Sequence, residues 1–212
     1  DRANLAAGFR RVALVNGLIL LPASAAIIVA APEAIRVLMG PNWGETVLPF
    51  RILAFTILLR TNLKLGGILA QAAGAVNAVA IAFSVYMVAV VVGALLAIRW
   101  GLTGVAISTA LAITLVSLHC CFLAMKVSGL SARQFAASHG PGLLLAATVV
   151  AVSWPLRSAL VAAGLPAPVL LVVIGMVSVA VSLAIVLVWI KRGRGDFGWL
   201  ASELKRKTGQ RT

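Results

Sequence analysis

Six long apolar runs, separated by short polar segments, make up most of this chain. Each run has about 20 residues, the length of α-helix that crosses a bilayer core about 30 Å thick. The pattern therefore predicts an all-α fold, a polytopic bundle of six membrane-spanning helices. The predicted spans are residues 12–31, 47–73, 76–98, 102–125, 142–163 and 169–190.

The segments between the runs carry signals for shorter elements. Pro32 and Glu33 suit the first turn of a short helix, and Gly40 suits its end. Trp43 follows as an interfacial anchor. Ser131 is placed to cap a short surface helix, and Phe135 on that helix is expected to face lipid.

The prolines and polar residues inside the apolar runs lead to further predictions. Pro22 and Pro155 should each kink a span. Asn16 and Ser24 could form hydrogen bonds to neighbouring helices. Arg157 lies close enough to a span end to snorkel towards the head groups.

The segment 47–74 departs from the others because it carries cations near its middle, Arg60 and Lys64. A charged side chain at the centre of a bilayer costs roughly 2.5–3.5 kcal/mol on insertion scales. Two such residues one helical turn apart must therefore face water, protein or a bound anion. Ionisable residues inside a membrane are by default candidates for function.

At 100° per residue, Arg60 and Lys64 are neighbours on one helix face. Counting along that face adds Thr56 before them and Gly67, Gln71 and Gly74 after them. The pattern predicts a narrow polar stripe lining a hydrated cavity. Arg51 lies on the other side and is interpreted as a snorkelling residue.

The alternative is that Arg60 and Lys64 only snorkel or form structural ion pairs. None of the acidic residues lies within a predicted span: Asp1, Glu33, Glu45, Asp196 and Glu203. A partner would then be another part of the protein, lipid head groups or an anionic ligand.

Composition and charge place the chain in a membrane. Of 212 residues, 62% are hydrophobic and the mean hydropathy is +1.09, too apolar for a soluble domain to cover its surface. The net charge of +13 comes mostly from Lys and Arg between the apolar runs, which indicates loops beside anionic lipids and no nucleic-acid partner. The positive-inside rule predicts a multi-pass protein with both termini in the cytoplasm.

The same positions suggest an organisation along the chain. Residues 1–125 hold four spans, 126–140 form a cytoplasmic amphipathic linker, 141–190 hold two further spans, and 191–212 form a basic cytoplasmic tail. In that tail Asp196 could cap a helix with Phe197, Leu200 and Leu204 on one side, or the tail could be disordered. The polar start suggests a fragment of a longer protein.

No constellation of catalytic residues or metal ligands emerges, so neither an enzyme nor a cofactor is predicted. Cys120 and Cys121 are adjacent in an apolar run and are interpreted as buried thiols. His119 is interpreted as a packed helix residue, and His139 is placed on a loop. The two glycines at 66 and 67 are interpreted as a packing site.

Several of these runs together resemble a known family. They are LPASAAIIVAAPEAIRVLMGPNW at 21–43, VLPFRILAFTILLRTNLKLGGILAQAAG at 47–74, WGLTGVAIST at 100–109, and SGLSARQF followed by Pro141. Residues 5–190 resemble the later half of lipid-linked polysaccharide flippases in the multidrug/oligosaccharidyl-lipid/polysaccharide exporter superfamily. One departure is Ala75-Val76-Asn77, where relatives often carry a basic residue.

The resemblance implies a bacterial inner-membrane transporter of two helical lobes that open alternately to each side. The chain would supply the C-terminal part, with an N-terminal lobe missing. The implied partners are an undecaprenyl-pyrophosphate-linked oligosaccharide and membrane lipids. Arg60 and Lys64 would attract the anionic head, and Thr56 and Gln71 would add hydrogen bonds.

Two other functions stay open. A drug or organic-cation exporter of the same superfamily would need acidic residues within the membrane, which these spans lack. A non-transport protein, either a scaffold for polysaccharide assembly or an accessory anchor, would instead have Arg60 and Lys64 facing lipid or a helix interface.

Overall fold

The structure, a computed structural model, describes the backbone of residues 2–191 and the side chains of residues 4–191. Predictions for the basic tail, including Asp196, Phe197, Leu200 and Leu204, lie outside these residues. The described chain is all-helical, with two short 3₁₀ helices at Pro41–Thr46 and Ile98–Trp100. The α-helices are α1 Arg2–Val29, α2 Ala31–Leu38, α3 Val47–Phe55, α4 Ile57–Ala72, α5 Val76–Ala97, α6 Gly101–Ser128, α7 Ala132–Ala162 and α8 Ala167–Lys191.

Five apolar helical stretches in this part of the chain are long enough to cross a membrane: Asn4–Val29, Pro41–Ala72, Val76–Ser128, Ala132–Ala162 and Ala167–Lys191. The third stretch is 53 residues long and contains both α5 and α6. Gly101 interrupts it with a φ of 68°, and an added Cβ on Gly93 would lie 3.4 Å from Ser108. The two helices thus form an antiparallel hairpin. The all-helical, multi-pass membrane fold is confirmed.

Helices α1 and α7 share the most extensive contact of any two described elements. A Cβ on Gly142 would overlap the backbone carbonyl of Gly17. Glycine at position 142 therefore allows the two backbones to meet, which is how small residues bring membrane helices together. Asn16 and Ser24 are in this region, but Asn16 Nδ2 and Ser24 Oγ are buried without a hydrogen-bond partner in the described structure.

Helix α7 differs from the expected surface helix followed by a separate span. It runs without interruption through Pro141 and Pro155, since a neighbouring helix can compensate for the hydrogen bond that a proline removes. The predicted cap is confirmed: Ser131 Oγ accepts from the Gln134 N–H at 3.2 Å, and the Gln134 side chain accepts from the Ser131 N–H.

The prediction that Phe135 faces lipid is wrong. Its ring stacks on Phe9 with the centroids 5.5 Å apart and meets the edge of His139 at 4.9 Å. Phe135 packs there against a buried cluster formed by Phe9, Ala124 and Leu130. Phe135, near the start of α7, therefore packs against Phe9 of α1 and Ala124 of α6.

Candidate functional site

The span that carries Arg60 is broken at Thr56, between α3 and α4. The Thr56 N–H donates to the Leu53 carbonyl at 3.0 Å, a three-residue spacing that tightens the last turn of α3. The Thr56 hydroxyl donates to the same carbonyl at 2.7 Å. Arg60 follows one turn later, and its N–H donates to the Thr56 carbonyl at 2.9 Å.

Arg60 and Lys64 are both exposed on α4. Gln71 is exposed on the same side, and Ile68 between them has 64% of its surface exposed. The side chain of neither cation has a hydrogen bond or ion pair with any described residue. We define Arg60, Lys64, Ile68 and Gln71 as the cationic face of α4.

Two other members of the predicted polar stripe are buried. Thr56 is 1% exposed, and its hydroxyl donates a hydrogen bond to the Leu53 carbonyl. Gly67 is buried, and an added Cβ would lie 3.6 Å from Phe83 and 3.7 Å from Val79 of α5. The break at Thr56 changes the phase between α3 and α4, which accounts for Thr56. Gly67 stays in phase with Arg60 on α4 but is covered by α5.

The opposite face of α4 contains a buried polar pair. Asn62 Nδ2 and His139 Nε2 are 3.1 Å apart, and His139 Nδ1 is 3.0 Å from the Phe135 carbonyl oxygen. A carbonyl only accepts, so Nδ1 carries the proton and Nε2 accepts from the Asn62 amide. The loop position predicted for His139 is therefore wrong: the ring is 8% exposed and joins α7 to α4.

Gly66 sits beside Asn62 on this buried face and lets α6 approach. A Cβ there would lie 2.8 Å from the Cys120 carbonyl oxygen. One turn away, the Ser117 hydroxyl donates to the Leu59 carbonyl at 2.8 Å. Cys120 and Cys121 are free and buried, so the predictions of buried thiols and of a glycine packing site are confirmed.

Arg51, which is predicted to snorkel, contacts two neighbouring helices. Its Nε donates to the Ile28 carbonyl at 3.0 Å, and its guanidinium lies 5.9 Å from the Trp154 ring centroid. A cation at the C-terminus of a helix interacts favourably with the helix dipole. Arg51 thus ties α3 to the end of α1 and to α7.

Arg157, the other residue expected to snorkel, forms an ion pair with Glu33. Its Nε lies 3.0 Å from both carboxylate oxygens, and Nη2 lies 2.8 Å from Oε1. The side chains are 21% and 6% exposed, respectively. No sequence signal pointed to this contact, since the partners are 124 positions apart.

His119 is exposed on α6, contrary to the prediction that it is packed. It lines an apolar groove of about 270 Å³ between α5 and α6, together with residues such as Tyr86 and Leu115. No group of three His, Cys, Asp or Glu side chains that could hold a metal ion occurs within residues 4–191.

Comparison of the chain with protein-family models, with curated proteins and with solved structures finds no match.

Proposed function

We propose that the chain forms part of a flippase that moves a lipid-linked anionic oligosaccharide across the bacterial inner membrane by alternating access. The observation that supports this proposal is Arg60, which is exposed and has no ion-pair partner among residues 4–191 although it stands near the middle of a span. A guanidinium in that position favours a negatively charged partner, and a phosphate group suits its fork of donors.

Other residues support Arg60 in this proposal. Lys64 lies one turn further along the same face and adds a second positive charge. Gln71 offers an amide to a sugar or phosphate oxygen. Thr56 acts indirectly, because its buried hydroxyl helps to set the helix break that precedes Arg60. Pro22 and Pro155 lie inside α1 and α7, where they are sites for bending between states.

The proposal is tested by replacing Arg60 with alanine in the full-length protein in cells. Export of surface polysaccharide should fall by roughly tenfold or more, because a hydrogen bond to a charged group contributes about 1.5–3 kcal/mol. R60K should retain part of the activity. I68A is the matched control, since it alters an exposed residue of the same face without changing charge.

Membrane abundance of each variant must be measured alongside export. Wild-type export by R60A at normal abundance would refute a role for this residue in substrate passage.

A scaffold is the second candidate, and Ile68 is the observation that favours it. The exposed side chain of Ile68 lies between Lys64 and Gln71 and makes the cationic face partly apolar. A partly apolar face also suits a helix–helix interface. In that case I68A, more than R60A, should release a co-purifying membrane partner and lower polysaccharide assembly.

A further inference from the structure

A cavity of about 470 Å³ lies between α2 and the turn that joins α7 to α8. Its lining includes Glu33, Arg36 and Arg157, with the glycine turns at Gly40 and Gly164. The volume is within the range of small-molecule sites. Neither Arg60 nor Lys64 lines it, so the cavity is separate from the cationic face of α4.

The ion pair in the wall makes this cavity unsuited to a cation. Both oxygens of Glu33 already accept from Arg157, and the carboxylate is almost fully buried. The bonds to Glu33 use Nε and Nη2 of Arg157. Nη1 is left to donate to a further acceptor, and the 21% exposure of the side chain gives access to it.

Arg36 adds a second guanidinium to the same lining. Its side chain is exposed and has no hydrogen bond or ion pair within the described part of the chain. The lining of the cavity therefore holds two guanidinium groups and one carboxylate, which is an excess of one positive charge. An anion with several acceptor oxygens would complement that charge.

An exposed tryptophan near the cavity narrows the choice of anion. Trp43, in the 3₁₀ helix Pro41–Thr46 next to α2, is 48% exposed. Tryptophan side chains concentrate at the level of the lipid head groups, where the phosphate groups of lipids lie. A phosphate group is thus the oxyanion that this end of the bundle would meet, on a lipid or on a soluble molecule.

We propose that this cavity is a phosphate-binding site, in which Arg36 is the main ligand and Nη1 of Arg157 the second. Glu33 does not touch the ligand but holds the Arg157 guanidinium in place. The proposal does not depend on the transport function proposed above.

Calorimetric titration of the full chain in an uncharged detergent with inorganic phosphate tests one source of the ligand. Native mass spectrometry of the chain in phosphatidylcholine nanodiscs, with and without phosphatidylglycerol, tests the other. The variant is R36Q, which leaves the buried ion pair intact. The control is R99Q, because Arg99 is exposed, stacks on Trp100 at 4.3 Å and does not line the cavity.

We expect R36Q to weaken binding by about tenfold or more and R99Q to leave it unchanged. Saturable binding of phosphate that R36Q weakens would support a soluble ligand. Selective retention of phosphatidylglycerol that R36Q abolishes would support a lipid head group. Absence of both effects, or binding that R36Q and R99Q alter equally, would overturn the proposal.

Discussion

Replacing Gly66 with alanine tests how closely α4 and α6 approach each other. The new Cβ would lie 2.8 Å from the Cys120 carbonyl oxygen, 2.9 Å from its carbon and 3.2 Å from the Cys121 nitrogen. All three are backbone atoms, which cannot rotate away as a side chain can. Ordinary Cβ contacts begin near 3.4 Å, so the helices would have to separate locally by about 0.6 Å.

Gly67→Ala is a control at the next position of the same helix. Its Cβ would meet only side-chain atoms, Phe83 at 3.6 Å and Val79 at 3.7 Å. Each substitution removes a glycine from a helix interior, and this change alone should raise the free energy of unfolding by about 0.5–1 kcal/mol. This gain is common to both variants, so their difference isolates the overpacking at Gly66. Overpacking typically costs about 1–3 kcal/mol, and G66A should be less stable than G67A by that amount.

The assay is reversible unfolding of the full chain in mixed micelles with rising dodecyl sulfate, followed by helical circular dichroism. Labelling of Cys120 and Cys121 by a maleimide in native micelles gives an independent readout. Both thiols are buried in α6, and they should react faster in G66A than in G67A. Equal unfolding free energies and equal labelling rates would refute the close approach of these helices.

Three further outcomes follow from the contacts. E33Q should destabilise the chain by about 3 kcal/mol or less, because it leaves the Arg157 guanidinium without a carboxylate. The double variant E33Q/R157Q should recover part of that loss in unfolding free energy. If the losses caused by E33Q and R157Q simply added in the double variant, the result would contradict the ion pair. A double-mutant cycle of N62A and H139A should give a coupling of about 0.6 kcal/mol, with roughly 1.7 kcal/mol as an upper bound, and zero coupling would contradict their hydrogen bond. S131A should lower the free energy of unfolding by about 1 kcal/mol, because the helix cap is lost. S158A, on the exposed side of α7, should change that free energy little. Equal losses in the two variants would argue against the cap.

The candidate site was predictable from the sequence only in part. An arginine and a lysine near the middle of an apolar run are unusual in any protein. The sequence alone therefore identifies Arg60 and Lys64 as candidate functional residues. Thr56 belongs to the same stripe only if the span is one straight helix. The break at Thr56 results from a local hydrogen bond to Leu53, and hydropathy does not report it.

The contacts of the other charged and polar residues depended on tertiary structure. Arg51 and Arg157 have the sequence context of snorkelling residues, and His139 has that of a loop residue next to Pro141. Each has a buried partner instead, the Ile28 carbonyl, Glu33 and Asn62 respectively. A polar group shielded from water costs free energy unless it is hydrogen-bonded, so each of these groups bonds to the helix that lies next to it.

The sequence by itself determined that this protein is a helical, multi-pass membrane bundle, and it indicated where most of the helices lie. Hydropathy and helical period are local properties of the chain, and each span meets lipid or its neighbours through about 20 consecutive residues. Only the tertiary structure decided which helices touch, that α7 continues through Pro141, and that Glu33 pairs with Arg157. Those choices depend on close backbone approach at glycines such as Gly66 and Gly142, between segments distant in sequence.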